Sequence, residues 1–313
     1  MADNSAFSQD LLTVWEEYRR AVKHSRQLKK SVNRNRLLGL VLVVVGAVLG
    51  VLASQVSKWS DPAGWLPIAI ALTSAIAFAI AAAASRHVLD SQSERQWVLA
   101  RSQAEALKSE AYTYLVQAPP YNGDDRDAKL AEKTQNILGD LIHPIALTDE
   151  EKHEKLPKTW LSIDDYIATR VNEQIDKFYE PRVQEYTRTL SQIRNTGLWL
   201  AIAGAVLGAV ATVIDTAWPA AWVAVIGTIS GSLAAFTFAG RYQYLIDSYS
   251  LTSRRLRWLR NGWVRLPDEQ KAIRLGHFVK QFEETISIEN KSWIATWTKE
   301  TEDKSLAATN HVT

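Results

Sequence analysis

Trp97, Arg101, Glu105 and Lys108 are spaced four, four and three residues apart, which puts all four on one helix face. Their types suit two chemistries. Arg101 and Lys108 can meet phosphates while Trp97 stacks on a base; alternatively, Glu105 can close an ion-pair ladder with Arg101 at i,i+4 and Lys108 at i,i+3. Arg170 is a further cation for a phosphate and Trp293 a further platform for a base, and Gln174 and Glu289 stand four residues from them. These are the candidate ligand-binding residues. No catalytic arrangement competes with them. The histidines, at 24, 87, 143, 153, 277 and 311, form no HExxH or other ligand spacing, and the chain lacks a Walker A run, a GxGxxG and a GxSxG. Cysteine is absent, which excludes disulfide scaffolds, Cys-ligated metals and thiol nucleophiles. The expectation is a protein that is not an enzyme and holds no metal, no cofactor and no nucleic acid.

The elements that must position these residues emerge from the distribution of charge. Over 313 residues, 36 Lys and Arg against 34 Asp and Glu leave a net charge of +2, and the mean hydropathy is -0.15. Those averages describe a soluble protein, yet four stretches carry no charge at all: Leu37–Ser54, Ala63–Ala84, Leu198–Ile214 and Pro219–Gly240. Each is 17 to 22 residues long, the length of a helix that crosses a hydrocarbon core of about 30 Å. Two such pairs, each joined by a short connection, predict an all-α integral membrane protein: four transmembrane helices in two hairpins, continuous with a cytoplasmic helical bundle. The lipid bilayer is its first partner.

Eight basic and no acidic residues lie between Arg19 and Arg36, and Arg241, Arg254, Arg255, Arg257 and Arg260 follow the second hairpin. The excess of Lys and Arg marks the cytoplasmic side, so a multi-pass membrane protein is expected with both termini and the middle segment in the cytoplasm. The same basic surface could attract a phosphate-bearing ligand. Trp59, Trp65, Trp218 and Trp222 mark the far ends of the hairpins, at the level where amphipathic rings collect. No cleavable signal is visible ahead of Leu37.

A shift of 158 residues lays Arg36–Ala53 onto Arg194–Ala211, repeats GAVLG (Gly46–Gly50) as GAVLG (Gly204–Gly208), and matches Gly39 with Gly197 and Phe78 with Phe236. The chain therefore reads as a duplicated unit: 1–142 with hairpin 37–54/63–84, a linker 143–161, 162–300 with hairpin 198–214/219–240, and a disordered tail 301–313. The pairs Gly46/Gly50, Gly204/Gly208 and Gly227/Gly231 let helix backbones approach closely, within one chain or between the subunits of a homo-oligomer. The second helix of each hairpin adds hydroxyls, among them Thr73, Ser74, Thr228 and Ser232. These either bond to their own backbone or line a wet path. No ionisable residue lies within a run, which argues against proton relays and voltage sensing and makes any pore weakly selective.

Outside the membrane the periodicity is helical. One stripe is Leu11, Trp15, Tyr18 and Val22; a second is Trp97, Ala100, Ala104, Leu107, Ala111 and Tyr114, in a helix read from Arg86 to Leu115. Residues 117–127 form a Pro-, Gly- and Asp-rich loop, and Ala128–Ile142 a short helix. Ser162 is placed to cap a helix that presents Ile167, Val171, Ile175 and Phe178 and is kinked by Pro181. The last helix, from about Asp268, aligns Leu275, Phe278, Phe282, Ile286, Glu289, Trp293 and Trp297. Glu289 in that stripe is either at its solvent edge or a buried carboxylate that needs a cation.

These motifs carry a family resemblance. Trp97–Lys108 (WVLARSQAEALK), followed by Tyr114 and Ala118-Pro119-Pro120-Tyr121, resembles the post-hairpin helix of one branch of the SLATT family. That family comprises bacterial two-transmembrane effector domains associated with nucleotide synthetases and SLOG sensors. Tyr166–Tyr179 (YIATRVNEQIDKFY) is similar to the pre-hairpin helix of a second branch, and Glu283–Trp293 (EETISIENKSW) resembles its closing helix. Phe178 stands where Trp is expected, and Ser253 where a small apolar residue is expected. The resemblance implies a membrane effector of bacterial anti-phage defence. Its partner would be a cyclic nucleotide, or a nucleotide synthetase or sensor protein, and its output a pore or general disruption of the inner membrane that halts the infected cell. The alternative is a passive membrane scaffold that recruits a cytoplasmic partner.

Overall fold

The computed structural model describes residues 7–59, 64–89, 91–139, 145–152, 155–214 and 217–288. Glu289, Trp293, Trp297 and the tail 301–313 lie outside the described residues. The elements are α1 (Gln9–Trp59), α2 (Trp65–Leu89), α3 (Ser91–Leu115), α4 (Arg126–Leu138), α5 (Asp149–Lys152), α6 (Ile163–Tyr166), α7 (Glu180–Val213), α8 (Trp218–Gly240), α9 (Tyr242–Val264) and α10 (268–288). Two π-helical stretches, Ile167–Val171 and Glu173–Tyr179, link α6 to α7. There is no strand among the described residues. Among the described residues, four helices are long and apolar enough to cross a membrane, and each overlaps one of the four charge-free runs.

The chain folds into two compact units that cut across the sequence repeat. A bundle unit takes Met1–Lys29, Ser91–Val183 and Asp247–Thr313, and a hairpin unit takes Lys30–Asp90 and Gln184–Ile246. The unit boundaries fall inside α1, α7 and α9.

In the bundle unit, the stripe expected on α3 is buried in full: Trp97, Ala100, Ala104, Leu107, Ala111 and Tyr114 all lie in the core. On α1, Leu11 and Trp15 are buried as expected, joined by Val14 and Ala21. Aromatic rings run through the core from Trp15 to Tyr112, Tyr166, Phe282, Phe278 and Trp263, in steps of 4.5 to 6.4 Å between centroids. Edge-on and offset contacts of this kind add to simple burial. Ser162 caps α6 as anticipated. Its Oγ accepts from the Asp165 amide at 3.1 Å, and the Asp165 carboxylate accepts from the Ser162 amide, satisfying two helix-end donors.

Beyond that cap the helix departs from the expected period. The buried positions are Tyr166, Arg170, Val171, Gln174, Ile175 and Tyr179, while Ile167 and Phe178 stay partly exposed. The cause is the π-helical winding, whose i→i+5 bonds bring every fourth or fifth residue inward. Pro181 acts at the same place. It has no N–H to continue the preceding register, and the π-helical stretch ends at Tyr179, where regular α7 begins.

In the hairpin unit, α1 and α2 close tightly around glycine. A Cβ on Gly46 would lie 3.0 Å from the Phe78 ring, and one on Gly50 would lie 3.2 Å from Ser74 Oγ. Ser74 Oγ donates to the Gly46 carbonyl at 2.8 Å across the hairpin. The second hairpin keeps the residues but not the packing. Gly204 meets only Ile226, at 3.4 Å, and Gly208, Gly227 and Gly231 face open space. Ser232, the counterpart of Ser74, donates to the Thr228 carbonyl in its own helix, and Thr73, Thr228 and Thr237 likewise bond to carbonyls of their own helices.

Gly46→Leu should therefore destabilise the protein by about 1–3 kcal/mol through overpacking against Phe78, whereas Gly231→Leu should leave stability unchanged. Unfolding followed by circular dichroism in detergent distinguishes the two. Equal losses would remove the packing difference between the hairpins.

Candidate functional site

Within the bundle unit, the charged residues converge on Arg170, which is fully buried. The π-helical winding turns it inward, and α10 supplies its partner. Nε donates to Glu283 Oε1 at 3.0 Å and Nη2 donates to Glu283 Oε2 at 2.7 Å, a two-pronged pair between guanidinium and carboxylate. Tyr166 Oη, one turn earlier, donates to Glu283 Oε1 at 2.8 Å. The guanidinium lies over the Tyr112 ring of α3 at 5.3 Å. Its Nη1 is 3.7 Å from Glu105 Oε2, also on α3, and neither atom has a hydrogen-bond partner.

The electrostatics follow from burial. For Arg170, desolvation works against the charged form, but the Glu283 and Glu105 carboxylates outweigh it and hold the pKa above the ordinary arginine value. Burial, with Glu283 next, raises the Tyr166 phenol well above its ordinary value. Tyr18 of α1 is raised to about 12 by burial and by Glu105. Lys108 is in no ion pair among the described residues. Its ammonium sits over the Tyr18 and Tyr112 rings at 6.0 and 5.8 Å. Burial, then the like charge of Arg170, push it down to about 8.

The sequence candidates thus separate. Glu105, Lys108 and Arg170 come together in one cluster. Arg101 is one turn away with other partners: it donates to Tyr249 Oη at 2.7 Å and lies over the Phe178 and Tyr249 rings, both at 5.5 Å. Trp97 is buried with Lys29 over its ring at 5.7 Å, and Gln174 is buried in the π-helical stretch. Of the ladder considered for α3, Glu105 turns across the bundle to Arg170. Arg170 spends its donors inside the protein, so the cations of the set that reach the surface are Arg101 and Lys108, each partly exposed.

Glu283 is the residue the periodicity missed. The stripe on α10 is two residues wide, with Phe278, Val279, Phe282, Glu283 and Ile286 all buried. A core-facing helix has an apolar arc broad enough to include such flanking positions, and an acid inside that arc is the available signal. The requirement for a cation that the sequence raised at Glu289 is met at Glu283. Ser253 has a related explanation: it is buried, its Oγ has no partner, and a small apolar residue would satisfy the site as well.

Comparisons with known proteins divide the chain at the same place as the sequence repeat. Residues 166–293 match the model of the SMODS and SLOG-associating 2TM effector domain 1. Residues 14–129 match a family described as protein of unknown function, DUF4231. No curated protein and no solved structure matches the chain. Tyr18, Glu105, Lys108 and Tyr112 lie in the first matched segment, and Tyr166, Arg170 and Glu283 in the second.

Two outcomes are expected. Glu283→Ala should cost about 3–5 kcal/mol, because it strands the buried guanidinium, whereas the double variant Arg170→Met/Glu283→Leu should recover most of that loss. A double-mutant cycle from urea unfolding measures the coupling, and additive losses would mean the pair is not one unit. For Lys108, the folded pKa of about 8 lies below the ordinary 10.5. The cost of its buried charge is present in full below pH 8 and is relieved as pH rises toward 10.5. The thermal midpoint of the wild type should therefore rise relative to Lys108→Met between pH 7 and 10; parallel profiles would contradict this.

Proposed function

We propose, from the premise that residues 166–293 form a SMODS and SLOG-associating 2TM effector domain, that this protein is a membrane effector of bacterial anti-phage defence. The observation that carries the reading is that this domain sits in a chain with four helices long and apolar enough to span a bilayer. The bundle unit receives a signal formed during infection, a cyclic nucleotide or the synthetase or sensor that handles it. The spans then open or disrupt the inner membrane.

Arg101 and Lys108 are the groups through which an anionic signal enters. Both are half-buried cations of α3, and the Lys108 ammonium lies over aromatic rings with no carboxylate in an ion pair with it among the described residues. A ligand shifts an equilibrium only by binding one arrangement better than another. A phosphate that pairs with Lys108 does so against an ammonium already weakened by burial and by Arg170. Helices α1, α7 and α9 each contribute residues to both units, so a rearrangement of the bundle has continuous backbone through which to reach the spans.

Oligomerisation uses the second hairpin. Gly208, Gly227 and Gly231 have open space where the glycines of the first hairpin meet Phe78 and Ser74. Small faces of this kind pack against another helix where lipid supplies no hydrophobic drive.

Dye release from liposomes holding the purified protein tests the proposal. With a panel of cyclic di- and trinucleotides, one ligand should trigger release, and Arg101→Ala or Lys108→Ala should reduce it without loss of folded protein. Gly227→Leu/Gly231→Leu should abolish release while leaving ligand binding intact. Silence under every nucleotide, and with the protein crosslinked into oligomers, would favour a scaffold that only recruits a partner.

A further inference from the structure

A groove of about 270 Å³ opens in the hairpin unit between α7 and the first turn of α9. Leu190 and Ile246 supply apolar lining, and Ser191, Arg194, Asn195 and Gln243 supply polar groups. Arg194 Nη2 donates to Gln243 Oε1 at 3.3 Å, which spans the groove and uses one of its five N–H donors. No carboxylate among the described residues pairs with Arg194. The groove is thus built around an exposed guanidinium with donors to spare and neutral hydrogen-bonding side chains beside it.

Its depth is set by the sequence. Arg194 precedes Leu198, the first residue of a charge-free run, by four residues, about 6 Å along a helix. Gln243 follows Gly240, the end of α8, by three. The polar headgroup layer adds about 5–8 Å to each side of the hydrocarbon core, so both walls stand within it. Trp199, 70% exposed, lies one turn deeper, where an indole suits the boundary between headgroup and chain. The groove falls just below the usual pocket range of about 300–1,000 Å³, which suits a phosphodiester with a small polar substituent better than a dinucleotide. The lining differs in sequence between the two hairpins. The duplication carries Arg194 onto Arg36, but Ser191 and Asn195 onto Asn33 and Leu37.

We infer that this groove is a binding site for the headgroup of an anionic phospholipid. Arg194 takes the phosphate, the residue type whose fork of donors fits phosphate oxygens in pairs, and Asn195, Gln243 and Ser191 take the hydroxyls of the substituent. The acyl chains pass along the exposed apolar face of α7 beside Leu198, Ile202 and Val206. A lipid held here occupies the junction between α7 and α9, so the anionic content of the membrane acts on the second hairpin directly. The inference rests on the reading of the charge-free runs as membrane spans.

The test uses the full chain in nanodiscs of phosphatidylcholine with a minor fraction of phosphatidylglycerol, followed by native mass spectrometry. The wild type should retain phosphatidylglycerol in preference to phosphatidylcholine. Arg194→Gln should lower that preference about tenfold or more, the effect of losing a charge-assisted hydrogen bond, while Arg188→Gln, outside the groove on the same helix, should not. Glycerol phosphate in millimolar excess should leave the retained lipid in place. Equal retention by wild type and Arg194→Gln, or displacement by glycerol phosphate, overturns the lipid site; the latter result makes it a site for a soluble phosphate. Flotation of each variant with liposomes separates these outcomes from failure of the membrane reading, since a chain that does not float has no spans.

Discussion

A guanidinium with no exposed surface dictates much of the bundle unit. Once Arg170 is inside, its charge must be matched by a carboxylate at hydrogen-bond distance, because an isolated buried ion is worth several kcal/mol of penalty. Glu283 on α10 meets that demand with both oxygens, and Tyr166 donates to one of them. The ring of Tyr112 covers the guanidinium and Glu105 approaches its remaining nitrogen. Helices α3 and α10 and the π-helical segment between α6 and α7 are therefore fixed in register to one another by polar geometry, which oily contacts alone would allow to slide. The interaction also joins the two segments that match different families, so residues from both share the core of the bundle unit.

The same interaction is incomplete, and that has consequences for what the bundle can do. Arg170 Nη1 and Glu105 Oε2 face each other at 3.7 Å without a hydrogen bond. Lys108, one turn from Glu105, keeps a weakened positive charge over two tyrosine rings. Unpaired polar atoms in a low-dielectric interior are costly, and a fully satisfied network would hold the cluster more rigidly than this one does. An anion that draws Lys108 outward removes a like charge from beside Arg170 and so alters the balance at the hub.

Legibility in the sequence tracked the regularity of the backbone. The four spans, the α3 stripe and the Ser162 cap could be read because each depends on composition or on the ordinary helical period. The segment from Tyr166 to Tyr179 could not, since its winding follows a wider helix and no residue type announces a π-helix. The expected stripe through Ile167 and Phe178 gave way to one through Arg170, Gln174 and Tyr179. Arg170 was visible as a cation in a family-like motif, but its burial was hidden by that change of period. Glu283 was hidden by a stripe drawn too narrow. The divergence of the hairpins was invisible as well, because GAVLG is the same string in both and only the residues opposite it decide whether a glycine is covered.

That divergence bears on how a path through the membrane could form. Thr73, Thr228, Ser232 and Thr237 all donate to carbonyls of their own helices, and Ser74 donates across the first hairpin to Gly46. These hydroxyl donors are already committed within the chain, and no ionisable side chain lies in the runs. The first hairpin is also closed against itself by Phe78 on Gly46. What the chain leaves available is the glycine face of α7 and α8 together with the broad apolar surface around Leu198, Ile202 and Val206. Small and apolar faces of that kind suit packing against another helix where lipid supplies no hydrophobic drive. On that account the duplication is a division of labour: one copy of the hairpin is packed closely on itself, and the other keeps an open glycine face.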